Sequence, residues 1–146
     1  MVKRKIKPEK LVELDVLAYA FEQRWSVDVY DSEALFFSGK KRSNPGLKAG
    51  TPDIIGADSQ GIALFLELKD PKKDHVCRLA QFRFLILKIE SNAFAVVVSS
   101  SEQLDKFYKT WMSLRKTSSE EARNYLKSIL PKKVLVNNKI IKAPEI

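Results

Sequence analysis

The chain has 146 residues, 45% of them hydrophobic, with one cysteine and one histidine. That is the size and composition of one folded domain with a real core; it excludes a disordered tail, an internal disulfide and a zinc site of the usual Cys/His kind, and no apolar run is long enough to span a bilayer. Twenty-six Lys and Arg against 18 Asp and Glu leave a net charge of +8, which favours a polyanionic partner, nucleic acid before an anionic membrane surface.

The basic start, Met1 to Lys7, leads into Pro-Glu-Lys rather than into the apolar stretch of a signal peptide. A soluble, intracellular protein of the cytoplasm or nucleoid is expected, with no membrane partner. Pro8 suits the first turn of a helix running to about Trp25. Leu14, Ala18, Phe21 and Trp25 recur at helical spacing and are the expected core face. Glu9 and Glu13 lie one turn apart on an adjacent strip, where either reads equally well as an exposed carboxylate near the positive end of the helix dipole. Val27–Tyr30 and Ala34–Ser38 look like strands. Gly39 to Gly50 then carries three glycines, a proline and four cations, with almost nothing to bury. It reads as a loop in which Lys40, Lys41, Arg42 and Lys48 contact phosphate in preference to merely solvating the chain.

The stretch Gly50-Thr-Pro-Asp-Ile-Ile through Leu66-Glu-Leu-Lys69 reads as two strands joined by the turn Asp58-Ser59-Gln60-Gly61. Ile62 to Leu68 is almost wholly apolar, as in a strand buried on both faces. Glu67 and Lys69, two apart, emerge on one face of its end, and Asp53 opens the neighbouring strand. Two carboxylates held together repel unless a cation lies between them. A hard divalent cation such as magnesium takes oxygen ligands of this kind, and the carbonyl of Leu68 is a further candidate donor. Such an ion polarises a phosphodiester and acidifies bound water, while Lys69 supplies a fixed charge to orient that water or meet the developing charge. On these residues alone, a hairpin whose charges solvate its ends fits as well.

After the turn Asp70–Asp74, with Lys72 and Lys73 as further phosphate contacts, a helix is expected from about His75 to Glu90. Its apolar residues cover most of the circumference, wider than one surface stripe needs. Either it is sandwiched or it forms a subunit interface, and a homodimer is expected. Arg78 and Gln81 share its narrow polar side. His75 reads as a capping or surface residue rather than an acid or base, and Cys77 as a small buried hydrophobe. Ala93–Val98 is a buried strand, parallel to its predecessor through the helical crossover. Ser99–Ser101 caps a helix from near Glu102 with Leu104, Phe107, Tyr108, Trp111 and Leu114 on its apolar face. Another helix runs from Ser118 to about Leu130, stopped by Pro131. Lys132 to Lys142 is a hairpin turning at Asn137-Asn138, whose lysines either touch nucleic acid or protect an edge strand.

Pro52-Asp53, a gap, then Glu67-Leu-Lys69 resembles the signature of the PD-(D/E)XK nuclease superfamily. Gly50 before the Pro-Asp and Gln81 on the downstream helix narrow the resemblance to its VRR-Nuc family, in particular to stand-alone, phage-type members. It covers roughly Glu13 to Leu104. The Ser or Thr expected just upstream of Gln81 is missing. The resemblance implies a restriction-endonuclease-like α/β fold, a mixed central sheet flanked by helices, with the C-terminal helices and hairpin added. The whole chain is then one nuclease domain, core about 8–116 and C-terminal extension about 117–146. It also implies a Mg2+- or Mn2+-dependent DNA endonuclease, structure-selective for junctions, flaps or other branched DNA, in recombination, repair or phage DNA processing. No small-molecule cofactor is expected. Asp53 and Glu67 would be metal ligands and Lys69 the partner of the attacking water. Gln81 would face the lysine's end of the site. Glu13, with Glu9 as the alternative, would lean over it from the first helix as a further ligand. The rival readings are a non-catalytic DNA-binding subunit on the same fold and, more remotely, a membrane-surface or scaffold protein.

Overall fold

The structure, a computed structural model, describes residues 5–30, 50–73 and 75–146. The expected strand 34–38 and the four loop cations Lys40, Lys41, Arg42 and Lys48 lie outside the described residues. The elements are α1 (Pro8–Glu22), β1 (Ser26–Val29), β2 (Ile54–Ala57), β3 (Ala63–Leu68), β4 (Val76–Arg78), α2 (Leu79–Glu90), β5 (Phe94–Val98), α3 (Ser101–Arg115), α4 (Ser119–Ile129), β6 (Lys133–Val136) and β7 (Lys139–Lys142).

β1, β2, β3 and β5 form a mixed sheet in that order. β2 runs antiparallel to both β1 and β3, and β3 runs parallel to β5. β5, Phe-Ala-Val-Val-Val, is buried along its whole length, as the crossover through α2 requires of a strand covered on both faces. The turn between β2 and β3 is tied down by Asp58. Its Oδ1 accepts the N–H groups of Gln60 (2.9 Å) and Ile62 (2.8 Å), and its Oδ2 accepts the Tyr108 hydroxyl (2.7 Å). Ser100 caps α3 by accepting the Gln103 N–H, and Ser118 caps α4 by accepting that of Glu121. Leu104 and Trp111 of α3 join Ala122 and Leu126 of α4 in the same buried cluster as the sheet.

Two expectations are corrected. α1 ends at Glu22, and its buried residues are Val12, Val16 and Ala20, whereas Leu14 and Phe21 are 49% and 85% exposed. Apolar side chains surround this helix, so periodicity cannot choose the inner strip; polar contacts do. Asp15 accepts both the N–H and the hydroxyl of Ser101 (2.7 and 2.8 Å), and the Tyr19 hydroxyl donates to Asp105 (2.7 Å). These bonds pin α1 to α3 with the Val12 strip inward. Trp25 is buried as expected, edge-on to Tyr19 and Tyr108.

The second correction concerns the stretch expected to be helical from His75. Val76–Arg78 is strand β4, parallel to β6, and the helix begins at Leu79. Cys77 and its partner Val134 are both fully buried, so ladder bonds and apolar contact replace a first helical turn. The C-terminal hairpin thus joins β4 in a second, three-stranded sheet ordered β4-β6-β7. Its turn residues Asn137 and Asn138 have φ of +48° and +63°, the left-handed pair of a two-residue hairpin loop. The apolar excess of α2 is largely used within the chain. Phe82, Leu85 and Ile89 are buried, Phe84 stacks edge-on against Phe65, and of its large apolar residues only Leu87 is strongly exposed. Among the described residues no helix is long and apolar enough to cross a membrane.

Candidate functional site

The β2–β3 register pairs Ile54 with Leu66, and one further step sets Asp53 opposite Glu67. Asp53 is fastened at both ends of its residue. Its carbonyl accepts the Tyr30 N–H (2.7 Å) and its Oδ2 accepts the Leu68 N–H (2.8 Å). Glu67 is only 3% exposed and shares a strand face with Phe65 and Lys69, the face that α2 covers. Lys69 Nζ lies 3.7 Å from Glu67 Oε1, and Gln81 Nε2 donates to the same oxygen at 2.9 Å. Gln81 Oε1 in turn accepts the Arg78 N–H at 3.0 Å. Both ends of the Gln81 amide are therefore used. One satisfies an orphan donor at the start of α2, as in half of a capping box, and the other holds the carboxylate. Arg78 occupies the N-cap position without capping through its side chain, so the missing Ser or Thr costs the helix a cap but leaves Gln81 in place.

Gly50 locks this helix start to the Pro-Asp segment. It adopts φ +86°, and a Cβ there would stand 2.3 Å from the Ala80 carbonyl oxygen and 2.8 Å from the Gln81 nitrogen. Only a residue without a side chain permits that approach.

The electrostatics are strained. Burial, then the negative charge of Asp53, push the Glu67 carboxyl up to about 8, against the opposing pull of Lys69 and Arg78. Asp53 is also raised, first by burial, with the Leu68 N–H, Glu67 and Lys69 acting to lower it and Glu9 adding repulsion. Glu67 Oε2 is buried and meets no hydrogen-bond donor. Such an oxygen needs a proton or a cation. Among the described residues no cluster of three or more His, Cys, Asp or Glu could hold a metal. Two carboxylates with an unmet oxygen nevertheless suit a hard divalent ion, which draws its remaining ligands from carbonyls, water and substrate phosphate.

The structure thus brings Asp53, Glu67, Leu68, Lys69 and Gln81 together. On α1, Glu13 is ion-paired with Lys10, and the carboxylate whose charge reaches Asp53 is Glu9. Lys72 and Lys73 are exposed on the turn after Lys69, which Asp70 orders by accepting the Lys72 N–H (2.9 Å). His75 is half-buried just before β4. Sequence reasoning missed that Cys77 lies within electrostatic reach of Lys69 and Glu67; burial pushes its thiol up to about 11. No spacing signal marked it, because β4 is a three-residue strand.

A solved structure described as a VRR_NUC domain resembles this chain with a TM-score of 0.53 at 19% sequence identity, over 71% of this chain and 97% of that domain. No protein-family model and no curated protein matches the sequence. The likeness establishes the fold, a restriction-endonuclease-like mixed α/β core.

Proposed function

We propose that the protein is a metal-dependent DNA endonuclease that hydrolyses phosphodiester bonds in branched DNA. The observation that carries this reading is the Asp53–Glu67 pair with the buried Glu67 Oε2 unmet, flanked by Lys69 and Gln81. The +8 charge and the likeness to a VRR_NUC domain support it. Asp53 and Glu67, with the Leu68 carbonyl, would hold magnesium or manganese. An ion held there would supply polarisation of the phosphodiester and a more acidic water. The chain's own contribution is positional. Gln81 fixes one oxygen of Glu67 and leaves the other to the ion. Lys69 places its charge beside the attacking water, where negative charge develops. Of the α1 carboxylates, Glu9 rather than Glu13 is the one whose charge reaches Asp53. Lys40, Lys41, Arg42, Lys48, Lys72 and Lys73 contact phosphates.

The test is cleavage of labelled junctions, flaps, nicked duplexes and single strands by the wild type and Asp53→Asn. Magnesium and manganese are expected to support cutting of the branched forms. Calcium should support binding with poor turnover, and chelator or the substitution should abolish cutting. Gel retardation without any cleavage would instead favour the non-catalytic DNA-binding subunit. Cutting that persists in chelator would overturn the metal assignment.

A further inference from the structure

The sheet β4-β6-β7 carries a charge arrangement that folding alone does not explain. From Pro131 to Lys142 the chain has four lysines and no acidic residue. Lys133 and Lys142 are direct cross-strand partners, and like charges at that spacing destabilise a sheet. Neither they nor Lys139 takes part in an ion pair among the described residues, while Lys132 is turned to the Ser128 carbonyl at 2.9 Å. Lysines on an edge strand guard it against aggregation, which accounts for Lys139 and Lys142 on β7. It does not account for Lys133, which stands on the central strand of the three. β7 itself is exposed along its length, Ile140 and Ile141 included, so this strand is not retained for its share of the core.

The sheet is also continuous with the site. β6 pairs with β4, Leu135 opposite Arg78, and Arg78 donates to the Gln81 that holds Glu67. The contacts from β6 through Arg78 and Gln81 to Glu67 thus tie this sheet to the Asp53–Glu67 site.

We infer that the β6–β7 hairpin is a DNA-docking wing whose Lys133 and Lys142, cross-strand partners on one face of the hairpin, grip backbone phosphates. That these phosphates flank the cleaved bond rests on the function proposed above; the contact itself does not. Binding of a short labelled duplex is measured against salt, in calcium, for the wild type and for Lys133→Gln/Lys142→Gln. Each lost phosphate contact flattens the log–log salt dependence by about 0.9, so a loss of about two units is expected. The melting temperature should stay level or rise as the Lys133–Lys142 repulsion goes. Lys133→Gln alone, the milder change, should lose about one unit. Lys109→Gln, which removes a helix-surface cation paired with Asp105, should leave the slope unchanged. An unchanged slope in the folded double variant overturns the wing. So does an unchanged DNA slope with lost binding to anionic phospholipid vesicles. Failure of the wild type to cut DNA in magnesium would overturn the nuclease reading, while the salt slope would still decide the wing.

Discussion

Glu67→Gln is expected to stabilise the metal-free protein, increasingly so as pH rises. The folded carboxyl titrates near 8 against an ordinary 4.5, because it is buried and faces the charge of Asp53. A carboxyl raised on folding binds its proton more tightly in the native state. Its favourable contribution is therefore complete below about pH 4.5 and is lost progressively as pH climbs toward 8. The loss runs at about 1.4 kcal/mol per pH unit, so by pH 7 it is about 3 kcal/mol. An amide in the same place escapes it. Its oxygen can still accept from Gln81, and its N–H groups face Asp53. For a chain of 146 residues the unfolding entropy is about 0.3 kcal/mol/K, and the melting temperature of the variant should exceed that of the wild type by roughly 10 °C at pH 7. The gap should close toward pH 5. Thermal unfolding of both proteins in chelator across pH 5 to 8 measures it, and saturating magnesium should narrow the gap by stabilising the wild type alone. A difference that does not vary with pH would refute the reasoning, because it would mean that Glu67 ionises freely.

Lys69→Ala should bind metal at least as well as the wild type, judged by metal-induced thermal stabilisation, since it removes a cation that the ion repels; its single-turnover rate should fall about a hundred- to a thousandfold. Equal cleavage rates would discard the role given to Lys69. Gly50→Ala should cost at least about 2 kcal/mol in chemical denaturation, because the left-handed backbone and the 2.3 Å approach to the Ala80 carbonyl both oppose a side chain. It should also slow cleavage by shifting Gln81. Tyr108→Phe leaves the buried Asp58 Oδ2 without its hydroxyl donor and should cost about 1–3 kcal/mol, with the cleavage rate per folded molecule unchanged.

Much of the candidate site was legible because it is local in sequence. Glu67 sits on β3, and Asp53 and Lys69 lie one residue beyond the ends of β2 and β3, two strands joined by one turn, so period-2 alternation with a tight reversal nearly fixes their neighbourhood. Gln81 was legible only through resemblance. No periodicity reveals that a helix 14 residues on will present its amide to Glu67. The inner strip of α1 was misread because two apolar strips compete, and the choice rests on Asp15 meeting Ser101 and Tyr19 meeting Asp105, each pair 86 residues apart. β4 was missed for a related reason. Three residues carry no period, and their partner β6 lies more than fifty residues downstream.

Two local costs bear on the ligand, and they differ in sign. Glu67 Oε2 lacks a donor beside a second carboxylate, which calls for positive charge. Lys133 opposes Lys142, which calls for negative charge. An isolated metal ion would relieve only the first, and an isolated anion only the second. A polyphosphate backbone carrying a hard cation at one of its phosphates would relieve both, provided that it extends beyond a single phosphate group. That proviso is why a mononucleotide, which can occupy the Asp53–Glu67 end alone, is a poorer match to this surface than a DNA strand.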